Sequence, residues 1–359
     1  MNELLHLQDK IEQANSISML RELHDEILMI LKGHPDFLSL NRDVTFSVYK
    51  QLSIVHDALM YRVLKLAEIE VELRGIGQRP DAYCWYIMGS GARHEQTVRT
   101  DQDNGIIFDC NEGNKESCYQ YINELAKIGT SYMNDIGYPF CEGHVMATNP
   151  RWQKQLADWE RQIKQYVEGH TPDDIRYLLI ASDLRAIYGD PRLIVVCKRN
   201  LQRLLYSSAM TLKRMGEHCL TPEVPLSFFG YIHAERWGEH AGKLNIKQAI
   251  YVPIINCIKF LCAIYHVDKD STWERAYTLF AKNHLPHALY EDICIALQTA
   301  LYLRLLYSVK EQSSADYVCL RDLHEQDRAL LKEGLKTAKV LQRYVNKLVV
   351  NAQYEATNL

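Results

Sequence analysis

Asp101 and Asp103 stand two residues apart near the end of the string Gly89-Ser90-Gly91-Ala92-Arg93-His94-Glu95-Gln96-Thr97-Val98-Arg99-Thr100-Asp101-Gln102-Asp103-Asn104. On a strand, that spacing turns both carboxylates to one face. Two carboxylates side by side repel each other unless a cation sits between them. Mg²⁺ prefers such oxygen ligands together with substrate phosphates. In a two-metal site the ions stabilise the attacking and leaving oxygens of an in-line displacement. The start of the string complements this chemistry. A Gly89-Ser90 turn between a strand and a helix lets backbone N–H groups approach phosphate oxygens closely. The Ser90 hydroxyl donates one more hydrogen bond, and the following helix brings its positive N-terminal end near a triphosphate. Alone, a GSG turn and a D-x-D strand end are each more often structural than catalytic. Their order, with an apolar strand on either side and an arginine between, points to a phosphate-and-metal site.

Two apolar runs must carry these residues. Tyr83 to Met88 reads as a buried strand ending abruptly at the glycines, and Gly105 to Phe108 as a second strand after the aspartates. Residues 115–135 read as a helix, and Tyr138 to Thr148 as a third strand. Before this α/β unit the chain is helical. Leu20, Leu23, Ile27 and Ile30 recur at helical spacing, as do Val48, Leu52, Val55, Leu59, Val63 and Leu66. Gly75, Gly77 and Pro80 break that pattern. Leu178 to Arg185 is ambiguous between strand and helix, and several helices follow Leu193. The expected organisation is a helical region over 1–78, an α/β core over 79–190 and a helical domain over 191–359.

Composition narrows the classes. The 359 residues are 47% hydrophobic and 24% charged, as in an ordinary soluble globular protein. The net charge of -4 lacks the basic excess usual in proteins that hold long nucleic acid. The first ten residues carry both charge signs and no apolar leader. The most apolar stretch, Ala249 to Tyr265, is interrupted by Pro253, Asn256 and Lys259 and reads as a buried helix, not a membrane span. Ten cysteines without a CxxC pair fit free thiols in a reducing cytoplasm, with no zinc-ligand spacing.

The string GSGARHEQTVRTDQDNGIIF resembles the Gly-Ser…Asp-x-Asp motif of the DNA polymerase beta-like nucleotidyltransferase superfamily. More closely, it resembles a nucleotidyltransferase-like signalling family related to PII uridylyltransferase. The likeness extends to SIVHDALMYRVLKLAE, YPFCEGHVMATNPRW, SDLRAIYGD, GEHAGKLNIKQAIYVPI and LHEQDRALLKEGLKTAKVLQRYV, nearly the whole chain. It implies an α+β fold: a small polymerase-beta-like core of mixed sheet and helices, between an N-terminal helical arm and a C-terminal helical bundle. It implies that Gly89 and Ser90 hold a triphosphate, that Asp101 and Asp103 hold the metals, and that Arg93 steadies the loop or a phosphate. The superfamily's third metal carboxylate falls to Glu142, in the expected third strand, or to Asp183. Lys247 resembles the Asn-x-Lys element preceding the helices that cover the nucleotide. It either neutralises triphosphate charge or is a solvated helix lysine; Lys243 is a weaker candidate.

The implied reaction is attack by an acceptor hydroxyl on the α-phosphate of a nucleoside triphosphate, with pyrophosphate released. The acceptor is either a tyrosine of a PII-like protein or a small molecule. Two other readings stand beside it: a catalytically inactive nucleotide sensor that keeps Gly89, Ser90 and the aspartates, and an interaction module whose helical ends dock a partner. His24-Asp25 and His56-Asp57 have the HD pairing of metal phosphohydrolases, but lie on amphipathic helices and read as surface or packing residues. Glu239-His240 reads as a local hydrogen bond.

Overall fold

A computed structural model of the chain describes residues 2–33, 42–311 and 316–356. Three helices come first: α1 (Asn2–Gln13), α2 (Ile17–Gly33) and α3 (Arg42–Arg74). The apolar stripes seen in the sequence are buried, with Leu20, Ile27, Leu52, Val55 and Leu59 wholly inaccessible.

The sheet follows. β1 (Ala82–Ile87) runs into a single helical turn, α4 (Gly89–Ala92), and β2 (Asn104–Asp109) leads to α5 (Lys115–Ile136). Next come β3 (Gln153–Gln155), α6 (Leu156–Gly169), α7 (Pro172–Ala181), β4 (Arg185–Gly189) and α8 (Arg192–Tyr206). The strand order is β3-β2-β1-β4. β1 is antiparallel to both β2 and β4, while β2 and β3 are parallel. The sheet is therefore mixed and the class α+β, as expected. β1 and β2 are buried along almost their whole length, which accounts for their continuous apolar runs. Helix α5 packs close on β1. A methyl at Gly129 would come within 2.7 Å of the Trp85 ring, so the absence of a side chain there sets the approach.

Three local expectations differ from the structure. Residues 138–148 form turns and irregular chain, and the third strand is instead the polar segment Gln153–Gln155. The segment from Tyr138 is tied to the core by separate bonds. Gln102 N donates to Pro139 O (3.0 Å), Asn104 N donates to Val145 O (3.0 Å), and Ala147 N donates to Asn104 Oδ1 (2.8 Å). Asp101 and Asp103 directly precede β2, where the sequence reading put them, but the strand pleat that would turn both carboxylates to one face does not extend to them. The helix after Gly89-Ser90 is only one turn long, too short for a substantial dipole. The ambiguous stretch from Leu178 resolves into the end of α7 and, from Arg185, β4.

Contacts divide the chain into two compact units. One comprises Met1–Ser39, Ser47–Lys164 and Asp183–Leu201, so the N-terminal helices share a unit with the sheet. The other comprises Leu40–Phe46, Gln165–Ser182 and Gln202–Leu359 and is mainly helical. It holds α9 (Ala209–Cys219), α10 (Val252–Tyr265), α11 (Thr272–Ala281), α12 (His287–Glu311) and α13 (Glu325–Ala356), with a two-stranded sheet of β5 (Lys243–Asn245) and β6 (Tyr317–Cys319). Two segments, Lys247–Tyr265 and His287–Lys310, are long and apolar enough to cross a membrane on length and composition. Their apolar windows are 67% and 89% buried within the protein.

Candidate nucleotide and metal site

The two halves of the motif meet where β1 ends. Met88 N donates to Asp103 O at 2.9 Å, which sets the aspartate segment beside the glycine turn. Gly89 has φ +56°, a left-handed conformation that disfavours a side chain. A methyl on Gly89 would also lie 2.5 Å from Asp103 Oδ2. The bare backbone thus leaves room for the carboxylate. Ser90 and Gly91, with Asp101, Asp103 and Gln96, line a cleft of about 10 Å³, close to the space of one water-sized sphere. It suits a single ion or one phosphate oxygen, not a whole nucleotide.

Asp101, Asp103 and Cys141 each offer a ligand atom, and the three atoms lie within 4.8 Å of one another. Asp101 makes no ion pair among the described residues. Burial, with Asp103 and Asp101 beside it, pushes the Cys141 thiol up to about 12. In the absence of a cation it is therefore a neutral thiol next to carboxylates. Two carboxylates and a sulfur fit a divalent cation, and no other group of three acids, histidines or cysteines among the described residues does so.

The remaining sequence candidates stand in different surroundings. Glu142 follows Cys141 on an exposed turn and is outside that ligand group, so it does not lie on a strand beside the aspartates. Asp183 is buried and ion-paired with Arg93, whose Nε also donates to Glu95 at 2.9 Å. Arg93 is 5% exposed, and its guanidinium is engaged inside the fold beneath the turn. Glu95 N in turn donates to Ser90 O at 2.9 Å. Lys247 belongs to the helical unit, on a π-helical turn from Lys247 to Tyr251. It pairs with Asp316 at 3.3 Å, a carboxylate shared with Arg304 at 2.9 Å.

The two HD pairs have a structural task that the sequence reading missed. His56 Nε2 lies 3.1 Å from Thr97 O, and its Nδ1 lies 2.6 Å from Tyr138 Oη. The carbonyl can only accept, so Nε2–H donates and Nδ1 accepts from the tyrosine. His24 Nε2 lies 3.1 Å from Val98 O, with Nδ1 2.8 Å from Ile136 O and 3.0 Å from Arg99 Nη1. Two buried histidines thus grip consecutive carbonyls of the loop leading to Asp101. Their aspartates serve the same loops. Asp25 pairs with Arg99, and Asp57 takes Arg185 in two bonds of 2.6 and 2.8 Å while Arg185 also donates to Gly91 O at 2.8 Å. A signal was available in the sequence. His24 shares the apolar stripe of Leu20, Leu23 and Ile27, and His56 that of Leu52, Val55 and Leu59. A histidine on such a stripe must find polar partners in the core.

A glycine-serine turn packed on an acidic pair, on a small mixed sheet, is the arrangement of a nucleotidyltransferase core. The family model described as "Putative nucleotidyltransferase DUF294" matches residues 40–173, and that described as "Putative nucleotidyltransferase substrate binding domain" matches residues 209–349. Together they span about three quarters of the chain, which belongs to this nucleotidyltransferase family and carries its C-terminal substrate-binding domain. Comparison with curated proteins gives no match.

Proposed function

We propose that the chain is a divalent-cation-dependent nucleotidyltransferase that moves a nucleoside monophosphate from its triphosphate to an acceptor hydroxyl. The observation that carries this reading is the packing of Gly89 against Asp103, which joins the phosphate turn and the acidic pair in one cleft. Gly89 and Ser90 would bind the triphosphate, and Asp101 and Asp103 would hold Mg²⁺. When bound, the cation would neutralise phosphate charge as it builds up in the displacement. Arg93 would fix the turn through Glu95 and Asp183, and Lys247 would add positive charge toward the triphosphate. The protein's contribution is positioning and electrostatics. By resemblance to PII uridylyltransferase, the acceptor is a tyrosine of a PII-like protein, with a small molecule as the alternative. The substrate-binding description of residues 209–349 supports an acceptor held by the helical domain. A cytoplasmic location fits the buried apolar helices and the free cysteines.

One observation favours a second reading, a nucleotide sensor without transferase activity. The ligand group contains two carboxylates and no third among the described residues. Incubation of the protein with each labelled nucleoside triphosphate, Mg²⁺ and cell extract separates the two. Pyrophosphate release with a labelled product supports the transferase. Saturable binding without release supports the sensor, and no binding removes both.

A further inference from the structure

The sequence leaves the third metal position to Glu142 or Asp183, yet Cys141, the neighbour of Glu142, is the residue that comes near the aspartates. Donor atoms around one ion lie at most about 4.6 Å apart, twice a bond of roughly 2.3 Å. The 4.8 Å spread of Asp101, Asp103 and Cys141 is close to that limit before any ion draws them together. Cys141 is 8% exposed, and no helix or strand fixes its segment. Residues 138–148 are held by separate hydrogen bonds and not by a ladder.

We propose that the Cys141 sulfur is the third protein ligand of the cation site, which makes the site bind thiophilic divalent ions such as Co²⁺, Zn²⁺ or Cd²⁺ more tightly than Mg²⁺. The inference rests on the reading of Asp101 and Asp103 as cation ligands. A hard ion such as Mg²⁺ gains little from sulfur and is held by the carboxylates and substrate phosphates. A softer ion gains a sulfur bond in addition. Binding breaks the S–H bond and forms a metal–sulfur bond, with the proton released to solvent, because the thiolate is the ligand. The outcome is a site whose selectivity is set by one atom next to the carboxylate pair.

Titration of Co²⁺ into the full chain tests this, read by near-ultraviolet thiolate-to-cobalt charge transfer and by calorimetry in parallel. The expected result is a band that saturates at one equivalent and disappears in Cys141→Ser. Calorimetry should show that variant still binding Co²⁺, about tenfold or more weaker. Cys141→Asp should lack the band and gain Mg²⁺ affinity. Nine other cysteines are present, so the wild-type and Cys141→Ser spectra are compared at the same stoichiometry. Co²⁺ binding that depends on Asp101 and Asp103 but shows no band, or a band unchanged in Cys141→Ser, overturns the cysteine assignment and leaves the cation site standing. No divalent-ion binding, even with nucleoside triphosphate present, overturns both.

Discussion

Arg93 and Asp183, ninety residues apart, form an ion pair in which the side chains are 6% and 0% exposed. The arginine follows the phosphate turn directly and the aspartate precedes β4, so the pair ties the turn that ends β1 to the adjacent edge strand. Glu95 joins it from the other side. Arg93→Met would leave two buried carboxylates without this counter-charge. The expected loss of stability is about 3–5 kcal/mol, the usual cost of breaking a buried pair from one side. Urea denaturation measures it. A loss of nucleotide affinity with unchanged stability would instead make Arg93 a direct phosphate ligand.

Asp101→Asn and Asp103→Asn should each weaken Mg²⁺-dependent nucleotide binding by about tenfold or more, while circular dichroism remains that of the parent. Isothermal calorimetry with and without Mg²⁺ reads this. Undiminished affinity in both variants would remove the aspartates from the site.

Gly89→Ala carries two penalties. Holding a side chain at positive φ costs roughly 1–2 kcal/mol, and the new methyl displaces the Asp103 carboxylate. Nucleotide binding should be lost, with a stability decrease of about that size in thermal unfolding. Ordinary binding by a folded Gly89→Ala protein would show that the turn does not cradle phosphate.

The buried histidines give stability a pH dependence. Burial lowers His24 to about 4, with Arg99 adding to the effect, and lowers His56 to about 3, with His24 adding. Their folded values lie below the 6.5 of an exposed histidine. The unfolded chain therefore takes up protons first as pH falls. The stabilisation is complete above about pH 6.5 and is lost progressively as the pH falls toward 4 and then 3, by roughly 3 kcal/mol per histidine over the first part of that range. Urea midpoints at pH 7 and pH 5 check the sign. The slope should be shallower in His56→Gln, and a wild-type midpoint that rises on acidification would contradict the argument.

Lys247→Met breaks a half-exposed pair with Asp316, worth under about 1 kcal/mol, so stability should hardly change. The informative measurement is nucleotide affinity. A drop of about tenfold supports a triphosphate role for the lysine, and an unchanged value returns it to the helix surface.

The strands were legible where their chemistry is local. Tyr83 to Met88 and Gly105 to Phe108 are apolar because β1 and β2 are buried along almost their whole length. Residues 138–148 misled for the same reason. Val145, Met146 and Ala147 are buried, but beside Asn104 and not in a ladder. The true third strand, Gln153–Gln155, carries no β-branched residue, and only its neighbour β2 makes it a strand. The motif marks Asp101 and Asp103 but gives no sign of Cys141, which comes near them only through the turn of a strandless segment. The roles of His24 and His56 were hidden likewise, since the carbonyls they bind are 74 and 41 residues away.

The first family match begins at residue 40, whereas His24 and Asp25 hold Val98 and Arg99 from an earlier helix. The boundary of recognisable similarity is therefore not the boundary of the folded site. A fragment trimmed to the matched region would keep every motif residue while losing one of the two grips on the loop before Asp101. The recognisable motif and the set of residues that holds it in place are different lengths of chain.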